Sequence, residues 1–401
     1  MFLNKSGFAY SAYSYLKAKQ QEYAITREQE FYKKLSVKSS PPHRLEERIA
    51  KVLAAKRNHR FNKQAAGLHF VYATSPSNWE PHNIPPGIRS LGNLTCYYYR
   101  ERGFNDASSD WLEKRHRLDS DLVAFIEETH KRHPIDMFIG YMGGWQISPE
   151  TIRSIGDMGI VTCGFNLDDK LSFRGKWAGG RWSGPAAVAA AYDLNLTNAP
   201  SSLVKYEAEG GAAIFWPEAA DPHHFRPLNL PFEFDVSFVG ACYGYRPILI
   251  KYLRKHGIKV EAFGPGWPNG LLTEAEMVNL YSRSRINLGF GGIGYSMKAQ
   301  CLKGRDFEVP MCGALYLTSD NPELDLVYKV GEEVLAYRDE RDCLSKINSL
   351  LADRERCADI RSSARARCLR DHTWEARFRQ LVNLVSPVIA ESGGSDEFIE
   401  R

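Results

Sequence analysis

Between residues 67 and 216 the apolar positions fall into six short runs, at 67–73, 93–99, 135–141, 159–165, 194–197 and 212–216. Several are separated by stretches whose apolar residues recur every three or four positions, such as 120–130 and 148–155. Short apolar runs bounded by turn residues read as strands, and the spacing between them reads as amphipathic helix. Strand–helix alternation of this kind predicts a mostly parallel sheet with helices on both faces.

The rhythm breaks at a proline-bearing link, residues 226–233, and then restarts. Strands are expected at 235–239, 259–263, 285–290, 314–318 and 333–337. Helices are expected at 245–256, 274–282, 305–312, 342–353 and 354–371, with a last one over 374–388. The fold class is therefore α/β, with two doubly wound, Rossmann-like domains at 66–230 and 234–370. Ligands of such sheets bind outside the carboxyl ends of the strands, in a cleft. Ahead of the domains, residues 1–60 read as a helical extension broken near Ser39-Ser40-Pro41-Pro42. Its second helix, 44–57, carries Leu45, Ile49, Val52 and Leu53 at helical spacing.

Charge changes the picture at that extension. The 401-residue chain has a net charge of +4, but residues 1–65 hold 14 Lys/Arg against 5 Asp/Glu, a balance of +9 that leaves −5 for the rest. Tyr10, Tyr13, Tyr15, Tyr23, Phe31 and Tyr32 are interleaved with those basic residues. Two readings stay open: a solvated helix or oligomer contact, and a peripheral contact with an anionic membrane surface. No apolar run reaches the ~18 residues of a membrane span, and the first residues lack the apolar core of a secretory leader. The eight cysteines show no CxxC spacing. The expectation is reduced thiols, a cytoplasmic location, no metal site and no nucleic-acid partner.

Three stretches of the second domain carry candidate chemistry. In FVGACYGYR a strand ends at Gly240 and a helix opens near Tyr245, where Arg246 adds a planar fork for an anion at the helix N-terminus; an ordinary tight strand–helix turn is the other reading. In AFGPGW, Gly264 precedes Trp267, either a stacking platform for a base or a core residue. In GFGGIG, Gly291 and Gly292 belong to a G-x-G-x-x-G run followed by Asp320. That run keeps an NAD(P)-dependent oxidoreductase open, although a dinucleotide fingerprint opens its helix directly. Here Gly304 intervenes before the next helix.

The run from Lys303 to Asp353, with Arg305-Asp306-Phe307-Glu308, Cys312-Gly313 and Gly331-Glu332-Glu333, resembles the donor half of GT-B glycosyltransferases. It is most similar to the CgeB-like, spore-maturation-protein-like group with a glycosyl transferase family 1-type C-terminal domain. Asn166-Leu167-Asp168-Asp169 and His372-Thr373-Trp374 fit the same pattern. The resemblance covers 66–390, most strongly 235–374.

It implies a metal-independent hexosyltransferase without a cofactor. Glu308 would hold the ribose hydroxyls of a nucleotide-diphosphate sugar, and Lys298, Lys303, Arg305 and the glycine-rich backbone would lie near the diphosphate. The acceptor, a glycan, lipid or protein, would bind the first domain, and the last helix would cross back to it. The alternative for Glu308 and Arg305 is a salt bridge at a helix start. Gln300 stands where many retaining members have a second glutamate, so the stereochemical outcome stays open. Asp169, with Asp168, is the candidate base for the acceptor hydroxyl, ahead of His223 and His224; a solvated acidic loop is the other reading of that pair. A catalytically silent sugar-nucleotide-binding or assembly protein of the same fold remains an alternative.

Overall fold

The computed structural model describes residues 8–36, 67–75 and 80–385; the helix expected at 44–57 lies outside them. The chain divides into two compact units, Met1–Thr26 with Glu218–Trp374 and Arg27–Pro217 with Glu375–Arg401.

The latter unit is built on a six-stranded sheet: β1 (Leu68–Thr74), β2 (Gly92–Tyr98), β3 (Met137–Gly140), β4 (Val161–Asn166), β5 (Leu194–Thr197) and β6 (Ala213–Phe215). Their order is β2-β1-β3-β4-β5-β6 and every pairing is parallel, with Phe70 opposite Met137 and Cys163 opposite Leu194. All seven residues of β1 are buried, as befits a strand covered on both faces. The helix Trp111–Arg132 packs through Trp111, Leu118, Leu122 and Ile126. It begins well before residue 120, because its first turns bury a single stripe amid charged residues. The helix Pro149–Asp157 starts with Ser148 accepting the Thr151 N–H and with Pro149 in its first turn. The last helix, Trp374–Val385, packs in this unit from Glu375 onward. Trp216 donates its indole N–H to the Arg377 carbonyl at 3.1 Å, and Arg377 donates to the Pro217 carbonyl at 3.1 Å.

The former unit holds β7 (Phe234–Val239), β8 (Val260–Phe263), β9 (Ser284–Leu288), β10 (Tyr316–Ser319) and β11 (Leu335–Tyr337), all parallel, in the order β8-β7-β9-β10-β11. Val236, Phe238, Ile286, Leu288 and Leu317 form the apolar centre, with Leu249 and Leu253 of the helix Arg246–Lys255 against it. A reciprocal cap between Thr273 and Glu276 opens the helix Glu274–Arg283.

The helix Arg305–Met311 ends at Gly313, where φ is +62°. Gly313 N–H bonds the Pro310 carbonyl and Ala314 N–H bonds the Val309 carbonyl, the paired bonds of a Schellman stop. Pro310 falls in the second turn rather than the first. It has no N–H for the Asp306 carbonyl, and the Tyr328 hydroxyl donates to that carbonyl at 2.8 Å instead.

The basic N-terminal segment is helical over Phe8–Ser36, but it is not a detached extension. Tyr10, Ser14, Gln21, Ile25, Glu28 and Tyr32 form a buried or half-buried stripe along it. Its residues up to Thr26 belong to one unit and those from Arg27 to the other. No described helix is long and apolar enough to cross a membrane.

Candidate functional site

In the unit built on β7–β11, the chain order reverses between β7 and β9, because β8 lies on one side of β7 and β9, β10 and β11 on the other. The carboxyl ends of two adjacent strands whose crossovers lie on opposite faces leave a crevice, the usual ligand position in such sheets. Two glycine-rich loops follow those strands, 240–245 after β7 and 289–299 after β9.

Arg246, Arg305 and Glu308 supply the charge. Arg246 opens its helix and is 8% exposed, with its guanidinium 4.4 Å from the Tyr243 ring centre and 5.7 Å from that of Phe238. One of its N–H groups donates to the Ala241 carbonyl at 3.1 Å. Burial, and then the nearby Arg305 charge, lower its pKa to about 10. Arg305 sits 5.9 Å from the same Phe238 ring, and its Nε is buried with no hydrogen-bond partner. Two guanidinium groups sharing one aromatic ring repel each other, and an anion would relieve that repulsion.

Glu308 lies one helical turn after Arg305 and is 7% exposed. Burial pushes its carboxyl up to about 7, against the opposing pull of the Arg305 charge, and Glu274 and Asp306 add to the rise. No hydrogen bond reaches its carboxylate among the described residues, and no ion pair joins it to Arg305, so the salt-bridge reading is not realised. The hydroxyl of Tyr281, which feels the charges of both, is buried without a partner. Unspent hydrogen-bonding capacity of this kind, at a carboxylate beside cations, suits a ligand rich in hydroxyls and phosphates.

The other expected donor residues fare differently. Lys303 is half-buried and its ammonium lies beside the Cys301 thiol, while Lys298 is exposed. Gly240 and Gly264 shape the loops: Gly264 has φ +121°, and a Cβ there would lie 2.6 Å from the Gly240 oxygen. Trp267 is not a stacking platform; its ring is buried in the core and its indole N–H donates to the Gly240 carbonyl at 2.8 Å. Gly291 and Gly292 lie in a hairpin where Ile293 N–H bonds the Ala299 carbonyl, and a Cβ on Gly292 would lie 2.3 Å from the Ser296 oxygen. The glycine run thus opens a hairpin, unlike a dinucleotide fingerprint, whose glycines open a helix. Gln300 is buried, with its carboxamide bonded to Ser319 and to the Met297 carbonyl.

The acidic pair splits. Asp169 is fully buried, and it accepts a 2.9 Å bond from the Tyr206 hydroxyl; burial raises its pKa to about 6. That enclosure corrects its assignment as the base. Asp168, its neighbour after β4, is exposed. His223 is also exposed, whereas His224 pairs with Glu274 at 3.2 Å.

Sequence reasoning passed over Asp306, which is buried and accepts bonds from the Tyr316 hydroxyl at 2.8 Å and the Lys303 N–H at 2.7 Å. These hold the start of the helix that presents Arg305 and Glu308. Its adjacency to both was the available signal.

Comparison with known proteins bears on this unit first. Residues 246–383 match a family described as glycosyl transferase-like. Among solved structures the chain is similar to sucrose-phosphate synthase from Thermosynechococcus elongatus, with TM-score 0.55 and 12% identity over 81% of this chain and 100% of the other. It is similar to Anabaena HepE in complex with UDP and glucose, with TM-score 0.52 and 13% identity over 80% and 99%. A third is an alpha-glucosyltransferase in complex with UDP-glucose and DNA, with TM-score 0.54 and 12% identity over 79% and 98%. The chain has the GT-B fold. No curated protein matches it by sequence. In this GT-B chain the crevice beside Arg246, Arg305 and Glu308 falls within or next to the segment that the family covers.

Proposed function

We propose that the protein is a glycosyltransferase of the CgeB-like group, which moves a hexosyl unit from a nucleotide-diphosphate sugar to an acceptor hydroxyl. The observation that carries this reading is the buried, unpartnered Glu308 carboxylate one turn from Arg305, at the reversal point of a GT-B sheet. Glu308 accepts hydrogen bonds from the vicinal ribose hydroxyls, for which a carboxylate has enough lone pairs. Arg305 and Arg246 face the diphosphate. As the anomeric C–O bond to phosphate breaks and the bond to the acceptor oxygen forms, they stabilise the charge on the departing nucleoside diphosphate. The acceptor proton passes to an exposed base, for which Asp168 replaces Asp169. With cations supplying this stabilisation, transfer needs no divalent metal, and activity persists in EDTA.

A thermal-shift series with UDP-, GDP-, dTDP- and CMP-linked sugars tests the donor. A ligand at a hundred times its Kd stabilises by about 2.7 kcal/mol. No shift with any of them refutes the donor site, and a shift without transfer or hydrolysis identifies a silent binder. The acceptor is a glycan, lipid or protein. The cytoplasmic location goes with a peripheral membrane contact through the N-terminal helix, whose outward face exposes Tyr15 by 63%, Leu16 by 63% and Tyr23 by 68% beside Lys17 and Lys19. Sedimentation with anionic and with neutral vesicles separates charge-driven docking from none.

A further inference from the structure

The N-terminal helix and the loop after β9 meet within one unit. Gln21 accepts the Tyr295 N–H at 2.7 Å, and its carboxamide lies where a Cβ on Gly294 would fall, 2.5 Å away. Gly294 has φ +57°, so the turn needs glycine both for its conformation and for this approach. Glu22 accepts the Ser296 hydroxyl proton at 2.8 Å. The lone pairs of that hydroxyl accept the N–H groups of Lys298 at 3.1 Å and Ala299 at 3.0 Å. A hydroxyl has one proton, so Glu22 fixes the direction in which Ser296 receives the loop backbone.

The contact extends to the loop after β7. Tyr10 is buried with its hydroxyl toward the Gly244 backbone. Tyr13 meets the Tyr295 ring edge-on at 5.8 Å, and Tyr243 meets it from another side at 5.8 Å. A Cβ on Gly244 would lie 3.2 Å from the Gly294 oxygen, so the two loops already touch. The helix therefore grips both loops that border the crevice.

We infer that Gln21 and Glu22 are positioning residues of the donor site, which hold the glycine-rich loop of residues 289–299 in its ligand-ready form. This rests on the donor reading of that crevice. A loop with four glycines in six positions loses much conformational entropy on ordering. Hydrogen bonds from a preformed helix remove part of that loss before the donor arrives, which strengthens binding without touching the ligand.

The test uses full-length protein with Gln21→Ala, Glu22→Ala and the double variant. Glu22→Gln is the conservative control, because it keeps an acceptor for Ser296 while losing the charge paired with Lys19. Hydrogen exchange over 289–299 reads the loop, and titration with UDP, GDP, dTDP and CMP reads the site. The double variant is expected to exchange roughly tenfold faster there and to bind its nucleotide about tenfold more weakly. Its donor KM rises with kcat retained, its melting temperature is unchanged, and Glu22→Gln stays near wild type. Unchanged loop exchange overturns the positioning role, as does faster exchange with unchanged nucleotide affinity. A wild-type protein that binds none of the four nucleotides overturns the donor reading itself, and faster loop exchange then reports a docking contact without that role.

Discussion

Asp169 and Glu308 are both buried carboxylates with raised pKa values, one in each unit, yet the structure uses them in opposite ways. Asp169 takes a bond from Tyr206 at Oδ2, while its Oδ1 is buried without a hydrogen-bond partner, near the hydroxyls of Thr197 and Ser202 and the charge of Lys205. Glu308 has Arg305's charge nearby and no hydrogen bond among the described residues. A raised pKa thus reports burial in both cases; what separates them is that one oxygen of Asp169 is tied to Tyr206 within its own unit, whereas neither oxygen of Glu308 takes a hydrogen bond among the described residues.

The largest expected effect is on donor binding. Glu308→Ala loses two charge-assisted bonds, roughly 2–4 kcal/mol or about 30- to 700-fold in Kd for the nucleotide sugar, with no loss of melting temperature. Equal donor titrations for variant and wild type would remove Glu308 from the site.

The pH dependence comes next. Burial pushes the Glu308 carboxyl up to about 7 from an ordinary value of 4.5, so the folded state holds its proton more tightly than the unfolded chain. The cost of burying the charge is absent below the unfolded value and complete above about 7. Its share of stability therefore falls as pH rises between those limits, by about 3 kcal/mol, and Glu308→Gln abolishes that slope. Donor affinity rises through the same window as the carboxylate forms. A flat affinity profile from pH 6 to 8 would show that ionisation is not needed.

Asp169→Ala should do the reverse of Glu308→Ala. It strands the Tyr206 hydroxyl and costs about 2–3 kcal/mol in chemical denaturation while nucleotide affinity stays constant. A selective loss of activity in a fully stable variant would return Asp169 to the chemistry. The smallest effect is that of Trp267→Phe, which keeps the packing but loses the bond to Gly240, about 1 kcal/mol. A change in preference among UDP, GDP and dTDP donors would restore a stacking role to the indole.

The strands were legible because buried parallel strands need apolar side chains at consecutive positions, and 67–73 or 285–290 leave little choice of reading. Helix ends were legible where caps are local, as at Thr273-Glu276 and Gly313. The N-terminal helix was not legible as a docked element. Its buried or half-buried stripe of Tyr10, Ser14, Gln21, Ile25, Glu28 and Tyr32 mixes polar with aromatic and aliphatic side chains, so apolar periodicity gives little sign of it. Nor could adjacency say which of Asp168 and Asp169 turns inward, since that depends on where Tyr206 lies, 37 residues further on.

By itself, then, the order of apolar runs and turn residues determined two parallel sheets and put Glu308 one turn after Arg305 at a helix start. Local spacing suffices for both, because strand burial and helix geometry are set by near neighbours. The tertiary structure alone decided which polar groups remain unspent. Partners such as Tyr206 for Asp169, Tyr328 for the Asp306 carbonyl and Glu22 for Ser296 come from distant segments, and no short-range pattern records them.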